Sequence, residues 1–157
     1  METSKSNDSD AFAAALRILT RRDRSEVELR KKLEQSGFSV SAIDQAIEKC
    51  RSYKYLDDQH YARERAKALF RSGRGVGRKV LLDLRRQGIA DEIAQSAVIE
   101  ASQEFPNSQL LQDQLDRRFP GFDFAQADER EKHRVISFFQ RRGFPLNEIF
   151  SVLRKPD

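Results

Sequence analysis

Three glycines alternate with basic residues in one short stretch of the sequence, Arg71–Lys79. Gly73, Gly75 and Gly77 expose backbone N–H groups beside cations, and a helix is predicted to begin directly after them. Backbone amides at a helix N-terminus bind phosphates and carboxylates, and neighbouring guanidinium groups strengthen that binding. The stretch therefore favours an anion-binding loop, although a glycine-rich connection between helices also serves flexibility alone.

This loop does not match a nucleotide-binding motif. Three residues separate Gly73 from Gly77, where a P-loop has four, and Arg78 stands where the P-loop requires lysine. Lys79 is followed by Val80 instead of serine or threonine, and no hydrophobic strand precedes the loop. A dinucleotide fingerprint fails too, because the third glycine comes too early. The sequence therefore predicts no nucleotide cofactor.

Charge is segregated along the chain. Arg63–Arg86 contains nine basic and two acidic residues, a net charge of +7, and Arg17–Lys32 has a net charge of +4. Glu104–Glu131 has a net charge of −4, and the whole chain +4. A charged run is most often a solvated helix face, but the glycine-rich loop inside this one favours an anionic partner.

Residue types that carry catalysis or bind metals are scarce. His60 and His133 are the only histidines, and Asp57 at three residues from His60 gives two ligands, which do not make a metal site. Asp57 is predicted to cap a helix instead. Cys50 is the only cysteine; it lies on an apolar stripe and is predicted to be a core thiol, in keeping with a reducing cytosol. No apolar run reaches about 18 residues, so no membrane span is predicted. The sequence predicts a binding protein without metal, cofactor or catalytic residues.

A recurring glycine organises the chain. Gly37, Gly88 and Gly143 each follow two large apolar residues at distances of eight and four, and an apolar residue follows each glycine directly. The preceding pairs are Leu29 with Leu33, Val80 with Leu84, and Val135 with Phe139. Spacings of four place both members on one helical face, and the glycine supplies the left-handed residue that ends the helix.

Further amphipathic segments stand before and after each glycine-ended helix, and Ser25–Glu28 and Asp128–Glu131 have the layout of capping boxes. The pattern predicts an all-α fold, a tandem array of three three-helix repeats. The predicted repeats cover residues 11–54, 55–104 (the basic one) and 105–157. Residues 1–10 are polar and predict a disordered tail.

Three segments, 25–37, 55–62 and 71–89, resemble the RecX regulatory family in order and spacing. The resemblance covers residues 11–100 well and is weaker from 101 to 157. It implies a bacterial cytosolic protein with an elongated, curved body of three three-helix repeats, which binds the RecA–DNA filament and restrains its strand exchange, ATP hydrolysis and coprotease activity. A monomer is expected from the residues themselves, because few apolar patches lie beyond the repeats. The resemblance implies no catalytic residues and no cofactor. The partners implied are RecA and single- or double-stranded DNA.

The residues expected to contact filament or DNA are the basic ones in and around the matching middle motif: Arg63, Arg65, Arg71, Arg74, Arg78, Lys79, Arg85 and Arg86. Two other functions are compatible with the residues alone. A helix-turn-helix DNA-binding regulator also uses three-helix units with a glycine turn. A helical-repeat scaffold that binds only protein needs no nucleic-acid contact. An enzyme ranks behind both, for want of a site.

Overall fold

The computed structural model describes residues 4–155, and this part of the chain contains nine α-helices and no strand. The helices are α1 (Ser4–Arg21), α2 (Glu26–Gln35), α3 (Val40–Ser52), α4 (Asp58–Ser72), α5 (Arg78–Arg86), α6 (Asp91–Glu104), α7 (Asn107–Arg118), α8 (Glu129–Arg141) and α9 (Leu146–Leu153). The predicted all-α fold is confirmed, and the helix order fits three successive sets of three.

Helix α1 begins earlier than the sequence pattern indicates. It starts at Ser4, inside the stretch 1–10 for which we predicted a disordered tail; residues 1–3 of that stretch lie outside the described residues. The apolar periodicity begins only at Ala11, so the polar residues before it carry no helical pattern. They extend a helix that is already nucleated by its apolar face, and extension costs much less free energy than nucleation.

The described residues form two compact units. Unit 1 contains the residues up to Ala62 together with Arg85–Ile93, and unit 2 contains Arg63–Leu84 together with the residues from Ala94 onward. Each of the helices α4, α5 and α6 has residues in both units. The three-repeat boundaries given above stay a prediction.

The core of unit 1 lies between helices α1, α2 and α3. Leu29 and Leu33 of α2 are fully buried, as are Ile43, Ile47 and Cys50 of α3. Cys50 is therefore a core thiol, as its position on the apolar stripe predicts. Burial raises the pKa of this thiol, so it stays protonated at neutral pH.

The start of α2 carries the predicted capping box. The Ser25 hydroxyl accepts a hydrogen bond from the Glu28 N–H at 3.1 Å, and the Glu28 carboxylate accepts one from the Ser25 N–H at 3.4 Å. Ser25 is fully buried and also donates its hydroxyl to the Gln87 carbonyl. The Asp58 carboxylate accepts from the Glu26 N–H at 2.9 Å, so this helix terminus binds a second acidic group.

Asp57 caps α4, as predicted, because its carboxylate accepts from the N–H groups of Gln59 and His60. At α8, the Asp128 side chain accepts from the Glu131 N–H at 2.8 Å. Both acidic residues satisfy backbone donors that the first turn of a helix leaves without partners.

The three recurring glycines end their helices in the predicted left-handed conformation, with φ of 89° at Gly37, 83° at Gly88 and 98° at Gly143. Their surroundings differ. A Cβ at Gly37 would meet no atom within 4 Å, whereas a Cβ at Gly143 would lie 2.2 Å from the Val76 carbonyl oxygen. Gly37 therefore meets a conformational need alone, and Gly143 also allows two backbone segments to approach closely.

The pKa of the Glu28 carboxylate is set by opposing effects of burial, hydrogen bonds and nearby charges. Burial raises its pKa, but the hydrogen bond from the Tyr61 hydroxyl (2.7 Å), the one from the Ser25 N–H and the charges of Arg22 and Arg24 outweigh it. The net effect lowers the pKa of Glu28 from its ordinary value. A lowered pKa in the folded state means that this carboxylate stabilises the fold above its unfolded pKa, and that the stabilisation disappears as pH falls through the folded value.

We therefore expect Glu28→Gln to lower the urea midpoint of unfolding at pH 7, with a difference from wild type that shrinks as the pH falls towards 3. Glu34→Gln, at an exposed position of the same helix, is the matched control and should leave the midpoint unchanged. An equal loss of stability at pH 7 and pH 3 for Glu28→Gln would contradict the assignment.

Replacement by alanine should cost different amounts of stability at Gly37 and at Gly143. Gly37→Ala should lower the free energy of unfolding by about 1 kcal/mol, the cost of a left-handed alanine. Gly143→Ala should lower it by about 3 kcal/mol, because the added methyl also displaces the Val76 backbone. Urea unfolding followed by circular dichroism measures both values. Equal losses at the two positions would show that the close approach at Gly143 carries no energetic weight.

Candidate anion-binding surface

The loop between α4 and α5, residues 73–77, is fixed by contacts within unit 2. The Val76 side chain is fully buried, and the Val76 N–H donates to the Arg142 carbonyl at 2.8 Å. The Arg142 guanidinium in turn donates from Nη1 to the Gly73 carbonyl at 2.7 Å. The buried Gln114 side chain of α7 donates from Nε2 to the Ser72 carbonyl at 3.2 Å. The start of the loop is thus bound to α7 and to the turn between α8 and α9.

Most backbone N–H groups of the loop are not free to bind an anion, in contrast to the prediction from the sequence. The N–H groups of residues 73–76 all donate within the chain: to the Phe70 carbonyl, to the Ser72 hydroxyl, to the Leu69 carbonyl and to the Arg142 carbonyl. The predicted exposure of the glycine N–H groups is therefore wrong for Gly73 and Gly75. The glycines serve close packing instead, so any anion that binds here is held mainly by side chains.

Some of the predicted contact residues pair with carboxylates of the same chain. Arg65 of α4 donates to Asp83 of α5 through both Nε and Nη2, with an Nη2–Oδ2 distance of 3.0 Å. Arg85 lies 2.8 Å from Asp91 within unit 1. Lys67, which contributes to the +7 of the basic stretch, lies 3.4 Å from Glu100 and 3.2 Å from Glu104. These ion pairs neutralise part of the positive charge of the basic stretch, so fewer of its cations are free to bind a partner.

Six predicted contact residues are exposed and make no ion pair with the described residues: Arg63, Arg71, Arg74, Arg78, Lys79 and Arg86. Arg86 belongs to unit 1 and the other five to unit 2. Arg71 also lies over the Phe105 ring, with 5.5 Å between the guanidinium carbon and the ring centroid. The loop and its two flanking helix ends therefore carry most of the accessible positive charge of the predicted set.

Two further cations of unit 2, Arg142 at this loop and Arg118 on α7, lie outside the predicted basic set. Arg142 is partly buried, and its guanidinium carbon lies 4.3 Å from the centroid of the Phe138 ring. The pKa of Arg142 is lowered, first by burial and then by the positive charges of Arg118 and Arg74. A charge count along contiguous stretches could not link Arg74, Arg118 and Arg142, because these three residues lie 44 and 24 positions apart in the sequence.

The described part of the chain holds no cluster of three histidine, cysteine, aspartate or glutamate side chains arranged for a metal ion. Within the same residues, every helix is too short or too polar to cross a membrane.

Fold and surface together define the class of protein: an all-helical chain of three-helix sets with a cationic loop region in unit 2. The family model for the first three-helix domain of RecX matches residues 11–50. The regulatory protein RecX of Syntrophotalea carbinolica is 45% identical over 141 residues, which cover 90% of this chain and 92% of that protein. The RecX of Trichlorobacter lovleyi is 35% identical over 153 residues, 98% of this chain and 99% of the relative.

The chain therefore belongs to the RecX family of regulatory proteins, which confirms the resemblance drawn from the three sequence motifs. Its fold is similar to the crystal structure of RecX from Lactobacillus salivarius, with a TM-score of 0.79 at 21% identity, over 96% of this chain and 97% of that one. At that level of identity the likeness concerns the fold alone.

Proposed function

We propose that this protein binds the RecA–DNA filament in the bacterial cytosol and inhibits its recombinase, ATPase and coprotease activities during DNA repair and recombination. Membership of the RecX family supports the choice of partner. The observation that carries the proposal is the set of exposed cations without acidic partners on the fixed loop 73–77 and the helix ends beside it. The proposed role is binding without catalysis, and relatives named regulatory proteins support it.

Electrostatics gives the proposed mechanism its driving force. Arg71, Arg74, Arg78 and Lys79 lie within nine residues and face solvent. Each cation that contacts a DNA phosphate releases condensed counterions, so affinity rises with every contact and falls steeply as salt increases. Acidic patches of the RecA protomers would supply the same countercharge.

The proposed inhibition results from binding across neighbouring RecA protomers. A filament offers many adjacent equivalent sites, and a helical protein bound across neighbouring protomers opposes the movement they need for ATP hydrolysis. We expect one copy to act as a monomer, since each copy carries its own cationic loop.

Reversing the loop charge tests the proposal. The triple variant Arg74→Glu, Arg78→Glu, Lys79→Glu should lose its inhibition of RecA ATPase on single-stranded DNA, because repulsion replaces attraction at three exposed positions. ATP hydrolysis is measured against increasing concentrations of each protein, and circular dichroism checks that the variant is folded.

The matched control is Arg17→Glu, Arg21→Glu, Lys31→Glu, which makes the same change in net charge at exposed positions of unit 1. It should inhibit nearly as well as wild type. If the folded loop variant inhibits fully, the loop is not the binding surface.

A further inference from the structure

Three segments of unit 2, each with one arginine, come together at the start of the loop. Arg74 follows Gly73 directly, and Arg142 binds the Gly73 carbonyl through Nη1 at 2.7 Å. Arg118 lies one turn beyond Gln114 on the same face of α7, and Gln114 binds the adjacent Ser72 carbonyl at 3.2 Å. These two hydrogen bonds thus join α7 and the turn after α8 to the consecutive carbonyl groups that directly precede Arg74.

The positive charges of Arg118 and Arg74 oppose that of Arg142. Burial lowers the pKa of Arg142, and the two neighbouring charges lower it further. None of the three forms an ion pair with a carboxylate among residues 4–155. Arg142 is nevertheless held in place by the Gly73 carbonyl and the Phe138 ring, so the repulsion is built into the fold.

The packing beneath the cluster leaves no room for adjustment. A Cβ at Gly73 would lie 2.2 Å from Nε2 of Gln114, and one at Gly143 would lie 2.2 Å from the Val76 carbonyl oxygen. Gln114 is only 4% exposed, and its Oε1 has no hydrogen-bond partner among the described residues. Two glycines and a buried amide therefore fix the backbone segments that carry the three arginines before any ligand arrives, which reduces the entropy that binding must overcome.

We propose that Arg74, Arg118 and Arg142 form a binding site for the backbone phosphates of DNA, with non-bridging oxygens accepting hydrogen bonds from the guanidinium groups. The inference rests on the proposed function and names DNA, instead of an acidic surface of RecA, as the ligand of this part of the surface. A bound phosphate supplies the negative charge that the cluster lacks, and guanidinium groups match its oxygens in geometry.

The charge beyond the cluster favours a phosphate polymer over an isolated carboxylate. Arg71, Arg78 and Lys79 are further exposed cations at the helix ends that flank the same loop. Successive phosphates of a polymer can neutralise several such cations, whereas one carboxylate would leave most of them unpaired.

Arg118→Gln tests the site, because Arg118 is exposed at the end of α7 and makes no contact on which the fold depends. Its neighbour Arg117→Gln, also exposed, loses the same charge outside the cluster and is the matched control. Binding of a fluorescent single-stranded oligonucleotide is measured by anisotropy from 0.05 to about 0.3 M salt, without RecA. We expect Arg118→Gln to weaken binding about fivefold at about 0.1 M salt and to reduce the log–log salt slope by about 0.7. Arg117→Gln should change the affinity less than about twofold, as a loss of long-range attraction alone.

Pyrophosphate provides a second measurement that needs neither DNA nor RecA. It should raise the melting temperature of wild type and of Arg117→Gln above the value in sodium chloride of equal ionic strength, since it binds only the folded cluster. The same addition should leave Arg118→Gln unchanged. A rise of equal size in all three proteins would overturn the proposed site.

The filament assay separates this inference from the proposed function. If Arg118→Gln binds DNA as tightly as Arg117→Gln while both inhibit RecA ATPase, the phosphate site is wrong and the proposed function stands. If Arg118→Gln loses DNA affinity but the wild-type protein does not co-sediment with RecA filaments, the site stands and the proposed function is wrong. If Arg118→Gln loses filament binding but keeps its DNA affinity, the ligand is an acidic protein surface, which overturns the inference.

Discussion

A reciprocal backbone contact between two turns of unit 2 determines what its cationic loop can do. The Val76 N–H donates to the Arg142 carbonyl, and the Val76 carbonyl oxygen occupies the space that a side chain at residue 143 would need. The contact is possible only because Gly143, which ends α8 in the left-handed conformation, has no Cβ. A residue that terminates a helix therefore also fixes a loop some 70 positions earlier in the sequence.

Fixing the loop has an electrostatic consequence. A mobile arginine in a cationic environment would turn outward and let water and salt screen its charge. Arg142 cannot do so without breaking its hydrogen bond to Gly73 and leaving the Phe138 ring. The fold thus maintains an unfavourable arrangement of like charges, which is typical of surfaces whose countercharge comes from a ligand.

Features that depend on neighbours in the sequence were predictable, and those that depend on distant contacts were not. The glycine termination of helices at Gly37, Gly88 and Gly143 and the capping box at Ser25 follow from local backbone chemistry, and the structure has each of them. Helix α1 was predicted too short, because apolar periodicity marks where a helix packs and not where it begins. The burial of Cys50 followed from its helical stripe.

At the candidate surface, too, local features were predictable from the sequence and features that depend on distant contacts were not. The sequence located the basic loop, but it could not tell that Arg65 and Arg85 pair with Asp83 and Asp91, because a charge count treats every side chain as free. It also could not place α7 beside the loop, because the hydrogen bond from Gln114 to the Ser72 carbonyl joins residues that are distant in the sequence. A net charge of +7 over one stretch is therefore a poor measure of binding capacity. The effective charge is that of the cations that tertiary structure leaves without a partner, and it includes residues far from the basic stretch.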